Sequence, residues 1–232
     1  VFPNEQGRWP IDQLDKNGDY DKDGQSNGFE YLAGTFAGDA SEFFKLEIKE
    51  PSKPMAAKGL VRVGMSITTL DNKTSRAMEP RVPLPARRLL TIRRLTDASI
   101  PVRVMVSPVV PALTDHELEA ILAAAKEAGA VAASSIVLRL PREVSVLFQD
   151  WLTEAFPDRA ARVMARVREL HGGQDYDPAF GTRMTGQGKW ADLMRQRFQL
   201  ATRRLELDRK LPALRSDLFK VPPQAGDQLS LF

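Results

Sequence analysis

The chain has 232 residues, 43% of them hydrophobic and 27% charged, with a formal net charge of +3. That balance fits an ordinary globular chain of one to two domains, and no apolar run approaches the roughly 18 residues of a transmembrane helix, which excludes membrane spanning. It contains no cysteine, which excludes disulfides, thiolate zinc sites, cysteine nucleophiles and cysteine-held iron–sulfur clusters. No basic stretch followed by an apolar core opens the chain, so no signal peptide is expected. The start at Val1 rather than Met raises the expectation of an upstream segment.

The modest charge is a sum of two unlike parts. Residues 1–54 carry −5 and the remainder +8. Basic residue usage changes with it, from five Lys and one Arg to six Lys and 21 Arg. The junction, residues 51–54 (PSKP), reads as a linker. A fusion of two segments and a two-domain protein of uneven composition both fit this break.

In chain order, the first element is an acidic loop. Asp19, Asp21 and Asp23, then Gly24 and Glu30, fit the spacing of an EF-hand calcium loop. Calcium takes six to eight oxygens, and a tight loop turns alternate side chains toward it. Asp19, Asp21, Asp23 and Glu30 would give carboxylates, Gln25 its backbone carbonyl and Asn27 its side-chain oxygen or a bridging water. Four carboxylates in one loop repel each other unless a cation lies among them. The alternative is an acidic surface loop with no ion. An alternating, strand-like run follows at 43–48.

From Met55 onward strands and helices alternate. Strands are expected at 60–66, 101–107 and 131–138. Helices are expected at 84–99, at 142–156, at 158–170 and, as a long basic helix, at 189–207. A capping box at Thr114–Glu117 is expected to open a further helix that ends at Gly129. Phe148 and Trp151 are expected in packing. His116 reads as a first-turn residue, and His171 as a helix C-terminal residue, where a cation is favoured. Strands alternating with helices predict an α/β fold with a parallel sheet. In such folds ligands bind beyond the carboxyl ends of the strands.

The arginines at 159, 162, 166 and 168, and at 195, 197, 203, 204 and 209, make the second half basic. Phosphate binding would use such a surface; solvated helix faces would look the same. The tail, 221–227, reads as an extended linker. It ends in Gln228, Leu229, Ser230, Leu231 and Phe232.

Several of these runs carry resemblances. Residues 58–63 (KGLVRV), 66–71 (SITTLD), 78–81 (MEPR), 85–89 (PARRL), 104–108 (VMVSP), 115–117 (DHE), 138–141 (LRLP) and 180–184 (FGTRM) resemble a bacterial radical SAM family related to spore photoproduct lyase, a DNA-repair enzyme. The likeness runs from about Lys53 to the chain's end. It implies that residues 55–207 are the C-terminal half of a partial (β/α)6 barrel with C-terminal helices, followed by a flexible tail at 208–232. It implies two cofactors, S-adenosylmethionine and a [4Fe–4S] cluster held by the three cysteines of a CxxxCxxC loop. This cysteine-free chain cannot hold that cluster, so it is expected to be inactive alone. The resemblance assigns Ser66 and Thr68 to the ribose or methionine part of S-adenosylmethionine, Glu79 and Arg88 as polar partners, and the backbone around Ser107 to the adenine. Plainer roles for these residues are helix capping for the hydroxyls and a solvated helix face for Arg88.

Residues 12–48, within a segment spanning 1–50, resemble the single-loop EF-hand-like calcium repeats of secreted bacterial proteins. The last five residues resemble the peptide by which bacterial replication and repair proteins dock on the sliding clamp: Leu231 and Phe232 would fill an apolar pocket and Gln228 would give directional hydrogen bonds. A tail folding back onto the domain is the alternative. The resemblances imply a cytoplasmic setting for residues 55–232, DNA and the clamp as partners, and a secreted-protein likeness for the N-terminal segment. Two other readings stay open: a non-catalytic calcium- and nucleic-acid-associated binding module, and a secreted calcium-binding protein.

Overall fold

The computed structural model describes residues 52–211 and 213–218. The calcium-loop segment and the clamp-like tail lie outside them.

Three parallel strands form one sheet in the order β1 (Val63–Ser66), β2 (Val102–Val109), β3 (Ala132–Val137). Among the described residues seven helices accompany them: α1 (Ser52–Ala57), α2 (Asn72–Met78), α3 (Pro85–Asp97), α4 (Leu118–Glu127), α5 (Glu143–Ala155), α6 (Pro157–Leu170) and α7 (Gly188–Arg204). The expected α/β class and parallel sheet are therefore observed. Residues 52–54, read as part of a linker, fall in α1.

The register pairs Val63 with Val102 and Ser66 with Met105, then Arg103 with Ala132 and Val106 with Ser135. It shifts between Val106 and Val109. Pro108 lies in that gap and has no amide hydrogen to give to the ladder.

Alternation along β2 decides how the layers stack. Val102, Val104 and Val106 are buried, while Arg103, Met105 and Ser107 are half-exposed. The buried valines meet Ile92 and Leu95 of α3 and Leu118, Ile121, Leu122 and Ala125 of α4 in the main core. Successive strand residues point to opposite faces, so helices cover one face of the sheet. The other carries Gly64, Ser66, Arg103, Met105, Ser134 and Ile136, exposed or half-exposed, beside the buried Ala132.

Local chemistry explains where the helices begin and end. Pro85 occupies the first turn of α3, where a missing amide hydrogen is harmless. Beyond α4, Gly129 has φ +106, and a Cβ there would lie 2.7 Å from the Thr96 side chain. Glycine alone fits that conformation and that approach.

A second core forms at the carboxyl ends of β2 and β3. Val110, Leu113, Leu138 and Leu140 pack with Leu152 of α5 and with Val163, Met164 and Val167 of α6. Phe148 and Trp151 pack there as expected, and the Trp151 indole N–H donates to the Ala77 carbonyl at 2.9 Å. That bond fastens the α5–α6 hairpin to α2.

Three features depart from the sequence reading. The strand foreseen at 60–66 begins only at Val63, and α2 was not foreseen. The capping box at Thr114–Glu117 does not form. The segment opens as a 3-10 turn, Asp115–Glu117, with no side-chain cap. The Thr114 hydroxyl instead accepts from the Val110 amide at 3.1 Å, and Glu117 reaches away to the end of β1.

Helix α7 is tied to α4 by a two-point ion pair. The Arg197 Nε donates to Glu119 Oε1 at 2.7 Å and an NH2 hydrogen goes to Oε2. Arg197, chiefly by these hydrogen bonds, holds the Glu119 carboxyl below its ordinary value of 4.5. A depressed carboxylate stabilises the fold above its unfolded pKa and loses that contribution as pH falls through the folded one. Stability should therefore decline as pH drops below 4.5. Glu119→Gln should flatten that acid limb, measured as urea midpoints against pH, with little change in the limb's slope counting against the pair.

Candidate functional site

The residues expected to face a cofactor meet at the carboxyl ends of β1 and β2. Beyond Ser66 the chain turns through Ile67, Thr68 and Thr69, all buried. Leu70 follows, and the Asp71 carboxylate accepts from the Thr74 amide at 2.7 Å to open α2.

Glu79, just past the end of α2, is the centre of the cluster. Its Oε2 accepts from the Thr68 hydroxyl at 2.9 Å and from Arg88 NH2 at 2.8 Å. Arg88 projects from α3 and is only 7% exposed. It spends every nitrogen of its guanidinium internally: Nε donates to the Pro83 carbonyl at 2.9 Å and NH1 to the Ser66 carbonyl at 3.0 Å. The Ser66 hydroxyl in turn donates to the Ser107 carbonyl at 3.1 Å, which joins β1 to β2. So Ser66, Thr68, Glu79, Arg88 and Ser107 form one connected network. Arg88 is not on a solvated helix face, and neither hydroxyl caps α2, a role taken by Asp71.

A second carboxylate braces the same corner. Glu117 accepts from the Thr69 hydroxyl at 2.5 Å and from the Leu70 amide at 2.7 Å. Sequence reasoning treated Glu117 as part of a helix cap. The usable signal was its place in the 115–117 run, beside the other strand-end runs.

Past the end of β3 lies another polar group, in which Arg139 of the 138–141 run and His171 are joined by Tyr176, a residue the sequence did not point to. The Arg139 NH2 donates to the Tyr176 hydroxyl at 3.1 Å, and its guanidinium lies 5.8 Å from that ring's centroid. His171, 2% exposed, bonds the Leu138 carbonyl through Nε2 at 3.1 Å. Its Nδ1 and the Arg139 Nε are buried without hydrogen-bond partners among the described residues, as is the Arg103 Nε on β2. His171 ends α6 as expected, but inside the protein. His116 sits in the 3-10 turn before α4.

Nearby, Asp175 accepts from the Ser145 hydroxyl at 2.6 Å, from the Gln149 amide at 3.1 Å and from Arg168 at 2.8 Å. The Ser145 hydrogen bond is the main cause that holds its carboxyl below 3.8.

The basic surface is partly neutralised. Of the nine arginines named above, Arg166, Arg168, Arg195, Arg197 and Arg209 have carboxylate partners. Arg159, Arg162, Arg203 and Arg204 are exposed and have no ion pair among the described residues.

The candidate calcium ligands Asp19, Asp21, Asp23, Gln25, Asn27 and Glu30, and the tail residues Gln228 to Phe232, lie outside the described residues. Among the described residues no His, Asp or Glu cluster is arranged to hold a metal ion, and no helix is long and apolar enough to cross a membrane.

No protein-family profile matches the chain, and no solved structure matches it. It is similar to uncharacterized proteins of Mycobacterium tuberculosis and Mycobacterium bovis, 32% identical over 120 residues. The match covers 51% of this chain and 34% of each relative. The chain thus aligns with about a third of the length of these relatives.

Arg88 carries the local energetics. Removing one partner of a buried pair leaves the other charge uncompensated and costs about 3 kcal/mol or more. Arg88→Met should lower the urea-derived unfolding free energy by about that amount. Glu79→Met in the same chain should recover part of the loss. Additive losses in the double variant would show that the two residues do not act together.

Proposed function

We propose that residues 55–207 form one side of a radical SAM-type (β/α)6 barrel, related to spore photoproduct lyase, whose strand ends contribute part of an S-adenosylmethionine surface in a protein that acts on DNA. The observation that carries this reading is the convergence of Ser66, Thr68, Glu79, Arg88 and Ser107 at the carboxyl ends of two adjacent parallel strands, the ligand end of such sheets. The half-exposed sheet face supports it too. Parallel sheets are ordinarily covered on both faces, and a barrel interior would account for a half-exposed, partly polar one.

The donor set divides the roles. Arg88 and Thr68, both buried and both donating to Glu79, position that carboxylate, whose side chain is 27% exposed. Glu79 is the group suited to accept a hydrogen bond from a ribose hydroxyl or an ammonium group. The Ser66 hydroxyl, already donating to Ser107, retains acceptor capacity. These residues fit a polar, cationic ligand such as S-adenosylmethionine. They do not fit the [4Fe–4S] cluster: its family ligands are cysteines and the chain has none. Cluster chemistry would have to come from other polypeptide, and these residues alone are read as catalytically incompetent.

The same absence of cysteine favours a second reading, a non-catalytic calcium- and nucleic-acid-associated module. In either reading the N-terminal loop binds calcium through Asp19, Asp21, Asp23, Gln25, Asn27 and Glu30, and the tail docks on a sliding clamp. A secreted calcium-binding protein is the weaker alternative, carried only by the N-terminal likeness.

Calorimetric titration of S-adenosylmethionine into the full chain should show binding that Glu79→Gln weakens about tenfold, the loss of one hydrogen bond to a charged group. Absence of heat with the wild-type chain would favour the non-catalytic module. Separately, deleting Gln228 to Phe232 should abolish capture by an immobilised bacterial sliding clamp; undiminished capture would refute the docking role.

A further inference from the structure

The run at 180–184 has no part in the strand-end network, yet it exposes the most solvent-accessible large apolar side chain among the described residues. Phe180 is 92% exposed. It sits on the loop between α6 and α7, and the Arg183 guanidinium lies 5.2 Å from its ring centroid. Four residues earlier on the same loop, Tyr176 makes the second arginine–aromatic pair, with Arg139. Neither Arg139 nor Arg183 has a carboxylate partner among the described residues.

The loop holds this arrangement by its own bonds. Asp177 accepts from the Ala179 amide at 2.8 Å and from the Thr182 hydroxyl at 2.7 Å. Gly181 has φ +106, with no atom within 4 Å of an added Cβ. Asp175 is turned onto Ser145, Gln149 and Arg168. Both acids of the loop are thus committed to shaping it. Phe180 is held out in water at a hydrophobic cost that a bound partner would relieve.

A flat apolar ring beside a guanidinium with no carboxylate partner among the described residues matches an unstacked base with its phosphate. Base–aromatic stacking is tolerant of sequence, and arginine adds both stacking and charge. Duplex nucleic acid hides its base faces, so the match is to a single strand. Arg159 and Arg162 on α6, the helix that leads into the loop, have no ion pair among the described residues and extend the positive charge.

We propose that residues 172–187, with Arg139 held against them by Tyr176, form a stacking platform for single-stranded nucleic acid, in which Phe180 takes a base face and Arg183 and Arg139 take backbone phosphate. This rests on the nucleic-acid part of the proposed function and is independent of S-adenosylmethionine binding.

The test is fluorescence anisotropy of labelled oligothymidylate with the full chain. Phe180→Ala should weaken binding about fivefold or more, and Phe180→Trp should preserve it. Arg183→Gln should weaken binding and reduce the slope of log affinity against log salt by about one. Competition by oligouridylate distinguishes an RNA source of the strand from a DNA one. Phe180 is exposed, so these variants should melt like the wild type. Unchanged affinity in Phe180→Ala would overturn the platform while leaving nucleic-acid binding in place. Preference for duplex over single strand would also overturn it. No binding by the wild-type chain would overturn both the platform and the nucleic-acid reading.

Discussion

The guanidinium of Arg88 is the fixed point at the strand ends. It is a buried cation, and a buried cation must be paired and hydrogen-bonded to be tolerated. Three nitrogens meet three different parts of the chain: the Pro83 carbonyl before α3, the Ser66 carbonyl at the end of β1, and the Glu79 carboxylate past α2. Each partner therefore constrains the others. The end of β1 cannot move from α3 without stranding the charge. Glu79 cannot turn away without losing both Arg88 and Thr68.

This constraint matters because β1 has little else to hold it. The strand is four residues long and, among the described residues, lies at an edge of the sheet and pairs with β2 alone. Packing against the main core is one-sided, through Val63 and Met65. The strand-end network supplies what the short ladder does not, and Ser66 and Glu117 extend it to β2 and the turn before α4. A rigid polar surface at the carboxyl end of the sheet follows. Preorganised groups of this kind suit ligand binding better than mobile ones. The half-exposed face of the sheet is the other side of the same economy of packing: the helices α3 and α4 cover one layer only.

The sequence made the long, periodic elements readable and the short, contact-dependent ones not. Leu89, Ile92 and Leu95 mark α3 because a 3.6-residue period puts them on one face. The valines of β2 alternate and predict its buried side. Helix α2 has seven residues and no apolar stripe, so its existence rests on the Asp71 cap and on Trp151, which is distant in sequence. Thr114 to Glu117 had the spacing of a capping box, but other donors took the same side chains: the nearby Val110 amide gives to Thr114, and the distant Thr69 hydroxyl and Leu70 amide give to Glu117. The five strand-end residues were nameable from the runs that contain them. Their mutual bonds were not, since Thr68 and Glu79 or Ser66 and Arg88 meet only once α2 and α3 are folded. Tyr176 and Phe180 gave no periodic signal at all, as expected for a loop whose shape comes from Asp177 and Gly181.

The central claim is that Arg88 holds the end of β1 and so builds the strand-end surface. Amide hydrogen exchange of the wild-type chain and of Arg88→Met tests it most directly. The account predicts faster exchange confined to the amides of residues 66–70 in the variant, with Val102 to Val106 of β2 keeping their protection. Unchanged protection at 66–70, or an equal loss across the whole sheet, would contradict it.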